Sequence, residues 1–289
     1  NGRVITLQLH DLSLSGHLGR GLQKLQSLQT LSLSRNNLSG SISAENMGGA
    51  SRQLRRLDLS YNLLSGPIPS SLAAFTSLKS LDLSNNLLTG RISPQLFNSS
   101  GGCMALHYLS FAGNSLDGPI PDTISQCSNL RHLNLSINRL TGIVSVTPLS
   151  QLTVLDLSYN SLVGPLPPLD MPALTDVRLQ SNRFSGPIPS QSSFSPSLIH
   201  LDLSRNLISG ALPESLRTLT SLSTLNMAHN SIQGSLPAWL GSLTSLKVLS
   251  LAFNLLSGQV PSTVGLLKDL MMMDLSHNML YGEIPGSLS

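Results

Sequence analysis

Residues Leu201 to Leu222 read LDLSRNLISGALPESLRTLTSL, with apolar side chains at Leu201, Leu203, Ile208, Leu212, Leu216, Leu219 and Leu222. From Leu225 the same frame returns as LNMAHNSIQGSLPAWLGSLTSL, and from Leu249 as LSLAFNLLSGQVPSTVGLLKDL. Working outward, its Asn recurs at Asn36, Asn62, Asn86, Asn114, Asn138, Asn160, Asn182, Asn206, Asn230, Asn254 and Asn278. Leu12 stands in that place in a first repeat, so the chain 1–289 reads as a single solenoid of about twelve repeats. A Gly follows four residues after each of these positions, from Gly16 to Gly282. Such an array is an elongated body whose units touch their neighbours.

Within one unit the period-two alternation around Leu201 and Leu203 predicts a short strand. Stacked units set these strands side by side in a parallel sheet, roughly 4.8 Å apart. Leu201 and Leu203 then face the core, while His200, Asp202 and Ser204 face out. Asn206 turns in at the bend, where its amide can satisfy backbone groups that would otherwise be buried unpaired. The Gly implies φ > 0 or a close backbone approach. A Pro two or three residues later closes that segment to ladder bonding. A short helical or 3₁₀ piece such as ESLRTLTSL completes the unit. Extra residues fall in Glu45 to Arg52 and Asn98 to Gly102, and shortened pieces in Val144 to Leu152 and Leu166 to Leu174, all on the outer arc.

Composition narrows the function. The chain is 40% hydrophobic but 4% aromatic, so its core is aliphatic. Charged residues make up 11%, against about 25% in ordinary domains. A net charge of +3 with no run of Lys and Arg does not argue for nucleic acid, which needs a concentrated basic stripe. No stretch approaches the ~20 apolar residues of a membrane span. There is no GxSxG, phosphate loop or HExxH, so no catalytic site is expected in this segment. No cofactor or metal is expected either.

The frame LxxLxxLxLxxNxLSGxIP, here TSLSTLNMAHNSIQGSLP or TSLKSLDLSNNLLTGRIS, resembles the leucine-rich repeat in its plant-specific extracellular form. The opening GRVITLQLHDLSLSGHLGRGLQKLQSLQTLSLSRNNLSG is similar to the first repeats of plant receptor-like kinases whose kinase is often judged inactive. The resemblance implies an α/β repeat solenoid. It would be a right-handed superhelix with a parallel inner β-sheet and short 3₁₀ or helical outer segments. It also implies Cys-containing caps outside this stretch, a secretory route, and a membrane span beyond the segment. The implied role is the ligand-sensing ectodomain of a plasma-membrane receptor, on its extracellular side. Its partners would be a peptide or protein ligand and a co-receptor with a shorter leucine-rich repeat ectodomain. The alternatives are a secreted inhibitor of microbial wall-degrading enzymes and an interaction scaffold.

Departures from the frame on the inner sheet mark candidate ligand-binding residues: Arg178, Gln180, His200, Arg205, His229, Phe253 and His277. Arg and aromatic residues on a rigid exposed surface are typical interface anchors. Arg178 or Arg205 could hold a carboxylate through paired hydrogen bonds. Six of the seven His, all but His17, fall at the inner strand. Sequons at Asn37, Asn98 and Asn134 are candidate glycan acceptors. Cys103 and Cys127 occupy one position of adjacent repeats. Stacking would bring them within about 5 Å, which suits a disulfide by distance. Parallel Cβ directions suit a buried pair of free thiols, and both readings stay open.

Overall fold

The computed structural model describes residues 3–19, 22, 24–43, 53–97, 103–145, 149–190 and 194–288. The chain forms two compact units, Asn1–Leu152 and Thr153–Ser289. In the first, short strands Thr6–Gln8, Thr30–Ser32, Arg56–Asp58, Ser80–Asp82, Tyr108–Ser110 and His132–Asn134 form a parallel sheet in chain order. The second unit repeats this with Val154–Asp156, Asp176–Arg178, His200–Asp202, Thr224–Asn226, Val248–Ser250 and Met272–Asp274. Register is strictly in phase, Leu201 lying opposite Val177 on one side and Leu225 on the other. Leu201 and Leu203 are fully buried, as the alternation requires.

The Ser two residues after the strand Asp is a correction to the outward assignment. Ser60, Ser84, Ser158 and Ser204 are all buried. In three of them the hydroxyl donates to the preceding Asp, at 2.7 Å for Ser60 to Asp58 and 2.6 Å for Ser158 to Asp156. The backbone N–H of Ser204 donates to Asp202 at 2.9 Å. The alternation ends at the bend, and the Asp folds over to cap it.

Asn206 shows how the bend is held. Its Nδ2 donates to the carbonyls of Leu179, Leu203 and Ser204 at 3.0–3.1 Å, and its Oδ1 accepts the N–H of Phe184 at 3.0 Å. Asn230 repeats the pattern one repeat on, and its Nδ2 also reaches Leu203 O, at 3.0 Å. Each such Leu carbonyl is therefore shared by two Asn side chains.

A second parallel sheet runs through each unit. Its strands include Asn37–Ser41 and Leu87–Arg91 in the first unit and Arg183–Pro187 and Leu207–Gly210 in the second. The repeat pattern by itself does not reveal it. Pro was expected to block a ladder here, but Pro213 lies beyond Gly210, where the strand has already ended. Gly210 has φ 78°, and a Cβ there would meet Pro187 Cβ at 3.3 Å. The outer segments are 3₁₀ turns such as Ser70–Ala74, Glu214–Thr218 and Ala238–Ser242, each entered through an extended Pro. In the shortened repeats, turns are closed by Leu152 N–H to Leu149 O and Leu174 N–H to Met171 O.

Cys103 and Cys127 are joined in a disulfide with Cα atoms 5.1 Å apart, and both are buried. Adjacent rungs thus hold the two thiols closely enough to bond despite their parallel stacking.

The residue before each frame Asn is left-handed. Arg35, Tyr61, Asn85, Ile137, Tyr159, Ser181, Arg205, His229, Phe253 and His277 have φ of 53–57°, and Gly113 stands in the same place with φ 63°. This conformation costs roughly 1–2 kcal/mol for L-residues, and β-branched side chains suit it least. Ile137 is 57% exposed, so it has little packing to offset that cost. Replacing Ile137 with Asn should raise stability by about 1 kcal/mol. A shift of the urea midpoint to higher concentration checks this, and a fall refutes it.

Candidate functional site

Left-handed bends place one side chain per repeat in a column along the rim of the inner sheet. In the second unit the column runs Tyr159, Ser181, Arg205, His229, Phe253, His277. Backbone bonds tie its rungs, such as Arg205 N–H to Ala228 O at 2.8 Å and His229 N–H to Ala252 O at 2.9 Å. At its end three rings stack. His229 and Phe253 have centroids 4.2 Å apart and planes at 9°, and Phe253 and His277 are 4.0 Å apart at 14°. Rungs one strand spacing apart let flat rings lie face to face. Phe253 has an imidazole against each face, so its edge is what a ligand meets; the residue remains 43% exposed. That edge carries the positive part of the ring quadrupole. Beside the stack, Ala228 and Ala252 replace the buried Ser of other repeats.

The remaining candidates occupy other columns. Arg178 lies in strand register between Asp156 and Asp202. Its guanidinium is engaged by Asp176, with Nε 3.0 Å from Oδ1 and Nη2 donating to Oδ2 at 3.2 Å. The Nε contact lacks a hydrogen-bonding angle and is electrostatic, since Oδ1 accepts no hydrogen bond. Arg178 is thus already occupied, whereas Arg205 has no ion pair among the described residues. Gln180 is half-buried, and its Oε1 is unpartnered among the described residues. His200 is exposed on its strand, opposite Asp176 and Thr224. The structure therefore brings Arg205, His229, Phe253 and His277 into one column and sets Arg178, Gln180 and His200 apart from it.

One carboxylate, Asp274, interacts with rings of the stack. Hydrogen bonds from the hydroxyl and N–H of Ser276 hold the Asp274 carboxyl below its ordinary range, with smaller help from His277 and His229. Asp202 accepts from Asn226 Nδ2 at 3.1 Å. The ring pairing was not anticipated from sequence, although the 24-residue spacing of His229, Phe253 and His277 was its signal.

The first unit carries a separate ring pair. Tyr108 and His132 stack at 4.5 Å, and the Tyr108 hydroxyl lies 3.3 Å from Asp82 Oδ2. Burial pushes the Tyr108 phenol up, and the charge of Asp82 adds to this. Among the sequons, Asn37 is exposed on the second sheet. Asn134 is half-buried, and its Oδ1 accepts the N–H and hydroxyl of Ser136 at 3.0 and 2.7 Å, doing what Asp does elsewhere. Asn98 lies outside the described residues.

The chain is similar to several plant receptors. A probably inactive leucine-rich repeat receptor-like protein kinase of Arabidopsis thaliana is 59% identical over 97 residues, 34% of this chain and 9% of that protein. Phytosulfokine receptor 1 of the same plant is 43% identical over 143 residues, 49% of this chain and 13% of that protein. The matched stretches are thus a small part of these relatives. Among solved structures, the plant peptide hormone receptor RGFR1 in complex with RGF2 superposes with a TM-score of 0.89 at 31% identity, covering 98% of this chain and 49% of that one. No helix among the described residues is long and apolar enough to cross a membrane. The leucine rich repeat profile matches residues 26–88, 104–162 and 172–232, more than half of the chain. With its in-phase inner strands and shared Asn ladder, the chain belongs to the leucine-rich repeat family.

Proposed function

We propose that this chain is the ligand-sensing part of a plant cell-surface receptor and binds an extended peptide across the inner sheet of residues 153–289. The observation that carries this reading is the ring stack of His229, Phe253 and His277, of which Phe253 and His277 are exposed, set in the column that also holds Arg205, which has no ion pair among the described residues. Ring edges and imidazole N–H groups favour the carbonyl oxygens of a peptide lying across them. Arg205 offers a planar fork for a ligand carboxylate. The plant peptide hormone receptor RGFR1, to which it is similar, supports the peptide class. A ligand held here would strengthen contact with a shorter co-receptor on the extracellular side of the plasma membrane.

Calorimetry with phytosulfokine, RGF2 and a library of plant secreted peptides tests this. A peptide of this class should bind, and Phe253→Asn should weaken it at least tenfold, about 1.4 kcal/mol. Asn tolerates the left-handed backbone, so the variant keeps the fold. Equal affinity in Phe253→Asn and in the Arg205→Ala, His229→Ala double variant would remove the surface. Failure to bind any of these peptides would remove the peptide reading.

A further inference from the structure

One position of the outer arc departs from what stacking asks of it. Two residues after the Pro that opens each 3₁₀ turn, the second unit reads Ser215, Trp239, Thr263 and Ser287. Three of these carry a hydroxyl that ties the turn to the rung before it. Ser215 Oγ donates to Pro189 O at 2.8 Å, Thr263 Oγ1 to Ala238 O at 2.7 Å and Ser287 Oγ to Ser262 O at 2.6 Å. Trp239, the single Trp of the chain, forgoes that bond. Its indole is half-buried. Among the described residues its N–H makes no hydrogen bond, and no ring or guanidinium stacks on it. The indole lines an open cleft of about 570 Å³ together with Glu214, Arg217, Ala238, Ser242 and Leu266. Gly241, also in the lining, is buried, and a Cβ there would collide with the Thr263 backbone, so adjacent turns meet backbone to backbone. Leu266 is 56% exposed and adds apolar surface. Arg217 donates to Glu214 at 3.1 Å, and both side chains are exposed. A surface pair of this kind contributes little to the fold, which leaves its atoms available to a ligand.

These groups narrow the ligand. Glu214 and Arg217 are the charged residues of the lining and neutralise each other, so the cleft favours no net charge. The carboxylate only accepts hydrogen bonds and the guanidinium only donates them, whereas a hydroxyl does both. A proline-rich peptide brings carbonyls but no donor for Glu214, and it docks in aromatic-lined grooves. Trp239 is the one aromatic residue in this lining. A pyranose with equatorial hydroxyls matches every group: its C–H faces suit the indole and Leu266, and its rim of hydroxyls suits both members of the ion pair. We propose that this cleft binds a neutral β-linked glucan, with one glucose ring stacked on Trp239 and its hydroxyls shared between Glu214 and Arg217. The proposal does not depend on the peptide reading, which concerns the inner sheet.

The single Trp makes the test direct. Cellohexaose added to the full 289-residue chain should move the indole emission to shorter wavelength, and calorimetry should return the same affinity. Trp239→Ser should lose about tenfold or more in affinity. Its unfolding midpoint should hold or rise, because it restores the hydroxyl of the neighbouring turns. The Glu214→Ala, Arg217→Ala double variant alters an exposed pair, keeps the fold and should also weaken cellohexaose about tenfold. Phe253→Asn should leave cellohexaose binding unchanged. A galacturonate oligomer and a proline oligomer of matched length should bind much more weakly than cellohexaose. Absence of cellohexaose binding overturns the proposal. So does equal affinity in Trp239→Ser or in the double variant, or binding of either comparison oligomer as tight as that of cellohexaose.

Discussion

Alanine at Asn206 and at Asn230 together should cost more than the two single changes summed. Each single change is expected to destabilise by about 1–3 kcal/mol. In Asn206→Ala the N–H of Phe184 loses its Oδ1 acceptor, but Leu203 O keeps Asn230 Nδ2 and Leu179 O keeps Asn182 Nδ2. The double variant strips Leu203 O of both side-chain donors. An excess of about 1 kcal/mol over additivity follows, within the range measured for residues that share a partner. Asn206 and Asn254 share no acceptor, since Asn254 reaches Met227, Leu251 and Ala252. Their combined effect should simply add. Urea unfolding of the five variants checks this, and an additive Asn206, Asn230 pair would show that the shared carbonyl carries no weight.

That network also shows what was legible in the sequence. The Leu, Asn and Gly of the frame answer to stacking alone, and the Asn bend, the left-handed Gly and the inner strands stand where the frame put them. The second sheet is not legible from the presence of Pro, because Pro blocks a ladder only inside a strand and Pro213 stands beyond the strand end at Gly210. Ser204 escapes strict alternation, which ends at the bend where the Asp202 carboxylate turns to accept its N–H. The pairing of Arg178 with Asp176 had a signal, since residues two apart on a strand share a face. The candidate site is the harder part to read, because its residues are those that stacking leaves free.

Phe184→Ala should destabilise the second unit by about 3–5 kcal/mol. Phe184 has no exposed surface and stands where neighbouring repeats place Leu162 and Ile208, both also fully buried. Its ring therefore fills a rung of the core that the smaller residues beside it cannot reach across to close. The loss should also be local. A repeat is held by its two neighbours, so weakening one rung lowers the cost of parting the array there. Hydrogen exchange should show amides of the strands Asp176–Arg178 and Arg183–Pro187 losing protection first, by a hundredfold or more if about 3 kcal/mol is lost there. Amides near Leu249 should lose less. Uniform loss across the unit would mean that it opens as a whole and that neighbour contacts do not set its stability. Phe253→Asn is the matched comparison. It removes a ring of the same size, but one that is 43% exposed and seated on a strained left-handed residue. Exchange there should hardly change while ligand affinity falls. Two phenylalanines in one unit would then separate the positions that hold the solenoid from those that recognise a ligand.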